Sequence, residues 1–230
     1  GDKPIQSEYL IDAADFIACH NPSYVTRYDM VSDLKEGGAF LLNCEWTSVE
    51  ALEKELPAKM KNILAKKHAK LYVIDAIKIA GELGLRGKTS TILQSAFFCI
   101  NPQIMPYESA DKNDKNTAVA LMKYMAYKSF SRKGDAIVQM NYNAIDSAKE
   151  NLVKIDIPAS WATTSEGAEM VKLADNDYFK NVVAPILALE GDKLPSSAFN
   201  ADGSVPTGTT KFEKRGVAVL VPEWNIDKCI

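Results

Sequence analysis

Over the first 85 residues, short unbroken apolar runs alternate with stretches in which apolar residues recur every third or fourth position. The run 14–20, ADFIACH, has the length of a buried strand, and Asn21-Pro22-Ser23 opens a helical stretch, SYVTRYDMVSDL. GGAFLLNC (37–44) is a second strand-like run. Thr47-Ser48 can cap the next helix, whose Val49, Leu52, Leu56, Met60 and Ile63 keep spacings of three and four. Pro57 interrupts or restarts that helix, because proline is best tolerated in a first turn. KLYVID (70–75) is a third strand, followed by the helical AIKIAGELGL. This alternation predicts an α/β fold, a Rossmann-like parallel sheet with helices on both faces.

The pattern then turns helical. STILQSAFFCI (90–100) is too apolar for a surface helix and is expected in the core. Residues 107–131 and 135–154 carry apolar side chains at helical spacing, separated by Arg-Lys-Gly at 132–134, and Pro158 closes that region. The small, polar residues of 158–177 predict a linker, and DYFKNVVAPILALEG (177–191) a short helix. From 193 to 216 the chain is dense in Pro, Gly, Ser and Thr, which predicts a mostly irregular C-terminal extension of loops and short strands.

Composition adds mainly exclusions. The 230 residues are 47% hydrophobic and 25% charged, ample for a core, with a net charge of −3 and both signs interspersed. No basic stripe marks a nucleic-acid groove, and the Lys59–Lys70 cluster fits a solvated helix face. No apolar run reaches the roughly 18 residues of a membrane span, and the start has no secretion-signal pattern. Four widely spaced cysteines, three of them in apolar segments, point to a reduced, cytoplasmic protein.

Several catalytic and binding patterns fail on inspection. Gly87-Lys88-Thr89 resembles the end of a phosphate-binding loop, but Glu82 stands where its first glycine belongs, and the stretch follows a helix instead of a strand. Asp111 and Asn113 begin a calcium-like loop that Lys115, Asn116 and Met122 then break. His20 and His68 cannot make a His-Glu-x-x-His zinc site, and no Gly-x-Ser-x-Gly elbow exists. Cys19 and His20, as strand neighbours, point to opposite faces, so Cys19 is expected to be a buried structural thiol. The strand ends His20/Asn21, Asn43/Cys44 and Asp75 fit either loop capping or a ligand-facing rim.

The stretches FIACHNPSYVTRYDM, EGGAFLLN, YVIDAIKIAGELGL, TILQSAFF, VVAPILALEGDKLPSSAF and PTGTTKFEKRGVAVLVPEW cover most of the chain in one order. In that order they resemble an internal segment of pyruvate:ferredoxin (flavodoxin) oxidoreductase. The resemblance implies a gamma-type 2-oxoacid oxidoreductase domain over 1–157, N-terminally truncated, a connecting segment over 158–199, and the start of a ferredoxin-like domain over 200–230. It implies that Cys229 stands as the first cysteine of a Cys-x-x-Cys-x-x-Cys cluster motif, a metal ligand only in a full-length parent.

The parent reaction is oxidative decarboxylation of pyruvate with coenzyme A to acetyl-CoA. It uses thiamine diphosphate, Mg and 4Fe–4S clusters, and passes electrons to ferredoxin or flavodoxin. The resemblance implies a non-catalytic fragment that has no cofactor of its own and works beside other domains of a homo-oligomeric parent. Its gamma-type domain is implicated in holding coenzyme A. Gly87, Lys88, Asn141 and Asn143 are the candidate contacts, with Lys88 in place of the family's arginine. The alternatives remain a helix-end cation for Lys88 and a helix-surface residue for Asn143. An alternative role is a stand-alone assembly module whose exposed sheet edge recruits partner subunits.

Overall fold

The computed structural model describes residues 4, 11–111, 113–170, 175–212 and 222–228. The chain divides into two compact units, Gly1–Glu169 and Met170–Ile230.

In the first unit a four-stranded sheet has the order β1-β2-β3-β4. β1 (Ala14–Cys19), β2 (Leu34–Asn43) and β3 (Lys70–Ile74) run parallel, as the alternation predicts. β4 (Val153–Ile155) pairs antiparallel with β3, so the sheet is mixed, not wholly parallel. Its three residues sit directly behind a long helix, where their apolar positions merely extend the helical spacing.

The central strand β2 divides the core by parity. Phe40 and Leu42 face a cluster built with Leu52, Leu56, Met60 and Leu64, from α1 (Val49–Glu55) and α2 (Ala58–Lys66). Leu41 faces the opposite cluster, built from Ile79 and Ala80 of α3 (Ala76–Glu82), Ile92, Leu93 and Ala96 of α4 (Ser90–Ile100), and Ala144 and Ala148 of α6 (Asp135–Asn151). Successive strand side chains alternate faces, so an unbroken apolar run requires cover on both. Helices provide it.

The helix expected over 23–34 is absent; a 3-10 turn, Pro22–Tyr24, and further turns replace it. Asn21 accepts the N–H of Ser23 on its side chain, and Asp29 Oδ1 accepts those of Val31 and Ser32. Side-chain oxygens that capture nearby backbone donors compete with helix formation. Pro57 does split the next helix: α1 ends at Glu55 and Pro57 precedes α2 as its N-cap.

The helix expected over 107–131 starts only at Ala118, giving α5 (Ala118–Phe130). Pro102 and Pro106 precede it, the Asp111 and Asp114 side chains bond the N–H groups of Asn113 and Asn116, and Thr117 caps the helix. Gly134, at φ +99, separates α5 from α6 in a backbone region that favours glycine.

The polar stretch expected as a linker is, up to residue 168, packed against α1 and α2. Trp161 is 1% exposed, and its indole N–H donates to Glu53 Oε1 at 3.1 Å. Asn62 donates to the carbonyls of Trp161 and Thr164, and buried Lys61 stands 5.8 Å over the Trp161 ring while donating to Glu53 O. One aromatic anchors a segment whose average composition is polar.

In the second unit a π-helical turn, Phe179–Val183, continues into α7 (Ala184–Leu187), within the stretch expected as a short helix. Phe179 is buried and lies 5.7 Å from the Phe212 ring. Residues 193–212 contain only short 3-10 turns among loops. Among the described residues no helix is long and apolar enough to cross a membrane.

Candidate functional site

The carboxyl ends of the strands are occupied by capping. Asn43, 2% exposed, donates from Nδ2 to His20 O and accepts the Ala76 N–H on Oδ1, which ties the end of β1 to the start of α3. Asp75 caps α3 by accepting the Lys78 N–H, and Asn21 caps its own 3-10 turn. The Asn21, Asn43 and Asp75 side chains of that rim therefore bond backbone groups. The strand order also runs without reversal, so the described sheet has no switch-point crevice.

Both thiols at these ends are buried and protonated. Burial pushes Cys19 up to about 11 and Cys44 up to about 12, against hydrogen bonds to the carbonyls of Asn21 and Trp46. Cys19 is thus the structural thiol its strand position predicts.

Gly87 and Lys88 lie together in the exposed loop between α3 and α4. Gly84, Arg86 and Gly87 all have positive φ, and the Lys88 N–H closes the turn on Leu85 O at 3.1 Å. That turn leaves the Lys88 side chain exposed one residue before Thr89, the N-cap of α4, whose side chain makes no capping bond. The same loop touches α6: a Cβ on Gly84 would lie 3.6 Å from Met140 Cε.

Asn141 and Asn143 follow Met140 on α6 but point apart, by about 200° around the axis. Asn141 is 6% exposed and donates to Ile137 O; Asn143 is exposed and accepts from Gln139. Gly87 and Lys88 therefore share one surface loop, Asn143 stands in solvent, and Asn141 is turned inward with its amide group bonded. Cys229 lies outside the described residues.

A cleft of about 720 Å³ escaped sequence reasoning. Cys99, Pro102, Pro106, Tyr107, Glu108 and Lys149 line it. The Tyr107 hydroxyl and Ser95 Oγ both donate to Ile145 O, which fixes the ring. Lys149 pairs with Glu108 and stands 5.9 Å over that ring. Burial raises both the Cys99 thiol and the Tyr107 phenol, so neither is ionised near neutrality. The cleft offers apolar walls and one neutralised ammonium at its rim, without an activated nucleophile. The signal for it was the pair of prolines flanking QIM, which breaks the apparent helical pattern.

A family model described as pyruvate ferredoxin/flavodoxin oxidoreductase matches residues 1–151. The chain belongs to that family. Among oxidoreductases of this kind, the pyruvate:ferredoxin oxidoreductase of Moorella thermoacetica is 47% identical over 230 residues. The pyruvate-flavodoxin oxidoreductase of Klebsiella pneumoniae is 42% identical over 231 residues. Each match covers 100% of this chain but only 19% of the relative. A second model, a domain of unknown function, matches 164–218. The pyruvate oxidoreductase subunit PORC of Thermotoga maritima aligns with TM-score 0.45 and 17% identity, over 62% of this chain and 65% of that subunit.

Proposed function

We propose that this chain is a non-catalytic part of an enzyme that oxidatively decarboxylates pyruvate with coenzyme A, yielding acetyl-CoA and CO2. Electrons in such an enzyme pass through iron–sulfur clusters to ferredoxin or flavodoxin, in a cytoplasmic, homo-oligomeric protein. The observation that carries this reading is the match of the whole chain to pyruvate oxidoreductases at up to 47% identity. The organisation proposed with it is a gamma-type domain over 1–157, a connecting segment over 158–199 and the lead-in to a ferredoxin-like domain over 200–230.

The contribution of this part is to position coenzyme A. Lys88 supplies the cation for a phosphate, on a left-handed turn that places it beside the start of α4, where helix N–H groups and the macrodipole favour anions. Gly87 allows the turn, Asn143 is a second polar contact, and Asn141 bonds the Ile137 carbonyl within α6.

The redox and carbanion chemistry belongs to thiamine diphosphate, Mg and the clusters. The described residues do not fit a cluster, which takes four thiolates: of their three cysteines two are buried, and no three His, Cys, Asp or Glu side chains converge. In a full-length parent, Cys229 would serve as one ligand. A stand-alone assembly role has one supporting feature, since β1 has a neighbour on one side only among the described residues.

Two measurements test the proposal. Purified chain mixed with pyruvate, coenzyme A and methyl viologen is expected to reduce no viologen, and turnover would refute the non-catalytic assignment. Calorimetry with coenzyme A is expected to show weak binding that Lys88→Ala removes. Binding indifferent to that substitution would refute the site.

A further inference from the structure

The outward face of α5 carries large apolar side chains that nothing in its own unit covers. Leu121, Tyr124 and Met125 are 39%, 58% and 55% exposed, at a spacing that places them on one face of the helix. Beside them α5 and α4 enclose a groove of about 320 Å³, lined by Phe98, Met105, Met122, Met125 and Phe130. Single exposed apolar residues are ordinary, but a contiguous set beside a groove marks a contact surface. Methionine lining suits such a surface, because its flexible thioether adapts to what packs on it.

Charge gives the surface a direction. Between residues 118 and 134 there is no acidic residue. Lys123 is paired with Asp146, but Lys128, one turn beyond Met125 on the same face, is exposed. Arg132 and Lys133 follow it, both exposed, with Lys133 5.5 Å over the Phe130 ring at that end of the groove. Asp135, exposed at the start of α6, is the nearest carboxylate along the chain. The groove thus has an apolar body and a basic end, which complements an apolar surface with carboxylates at one end.

The relatives show where such a surface can come from. Each matches the whole of this chain over 19% of its own length, so the greater part of such a polypeptide lies outside the match. We infer that the α4–α5 groove is the seat of another domain of a longer polypeptide, which presents apolar side chains to Leu121, Tyr124 and Met125 and carboxylates to Lys128, Arg132 and Lys133. This inference rests on the family reading above.

The test is oxidation of Met125 by hydrogen peroxide, followed by mass spectrometry, in the 230-residue chain and in the longer polypeptide that includes its flanking sequence. Met125 is expected to oxidise readily in the chain alone and about tenfold more slowly in the longer polypeptide, since susceptibility follows exposure. Met60, 5% exposed, is the internal control for intact folding. Leu121→Glu and Lys128→Glu, both at exposed positions, are expected to restore rapid Met125 oxidation in the longer polypeptide and to leave the melting of the chain alone unchanged.

Equal rates in the two forms would overturn the inference. So would concentration-dependent protection of the 230-residue chain with a dimer in sedimentation, which would make a second copy the occupant. The function reading fails separately. A longer polypeptide with Met125 protected but no pyruvate-dependent viologen reduction would sink the activity and leave the docking surface standing. An active one with Met125 exposed would do the reverse.

Discussion

Asp29 shows how much one side chain decides locally. Burial works to raise its pKa, but hydrogen bonds from Lys59 Nζ, Ser32 Oγ and the N–H groups of Ser32 and Val31 outweigh that and hold it at about 2, below the ordinary 3.8. A depressed carboxyl contributes stability that is present above its unfolded pKa and lost as pH falls through the folded one. Asp29→Asn is therefore expected to cost about 1 kcal/mol at pH 7, discounted for its solvent exposure, with most of the difference gone by about pH 2. Thermal melts at both pH values check this. Asn43→Leu leaves the buried Ala76 N–H and the half-buried His20 O unpaired and is expected to cost about 2 kcal/mol in a denaturant titration. Thiol labelling should reach half-buried Cys99 before Cys19 or Cys44, whose pKa values burial lifts furthest. Asn21, Asn43 and Asp75 also mark a limit of sequence reasoning. A polar residue after an apolar run looks the same whether it caps a backbone or meets a ligand, and only the positions of the N–H groups decide.

At the scale of elements, β1, β2, β3 and α4 were legible because each has an unbroken apolar run or a uniform helical period. The two expected helical stretches that did not form share one cause. Over 23–34 and 107–117, apolar spacing imitates a helix while Asp29, Asp111 and Asp114 take the backbone donors a helix would need. β4 was hidden because three residues cannot display a period of two beside a long helix. The segment 158–168 was hidden because its packing depends on a single residue. Trp161→Ala is expected to cost about 4 kcal/mol and to open that segment to proteolysis. Gly167→Ala tests the same contact from the other side. A Cβ there would lie 2.3 Å from Leu56 O, a backbone atom that cannot yield cheaply, and φ is +152. Both variants should lower the melting temperature and speed amide exchange in α2. An unchanged exchange pattern would mean that the segment does not brace the helix.

For the molecule as a whole, a sheet covered on both faces supplies the frame, and of the candidate contacts Lys88 and Asn143 lie on its periphery while Asn141 is buried. Lys88 is held by a turn, not by the sheet, and Asn143 stands on the solvent side of a helix whose inner side closes the core. Neither position was legible from periodicity, which reports burial and says little about exposed polar residues. Their proposed role came from resemblance; the loop that carries Gly87 and Lys88 meets α6 at Gly84, where an added Cβ would lie 3.6 Å from Met140 Cε. The decisive experiment is steady-state kinetics of Lys88→Ala in the longer, active polypeptide, with coenzyme A and pyruvate varied separately. Positioning of coenzyme A by this loop predicts a KM for coenzyme A raised about three- to tenfold, with kcat and the KM for pyruvate unchanged. An unchanged KM for coenzyme A would contradict it.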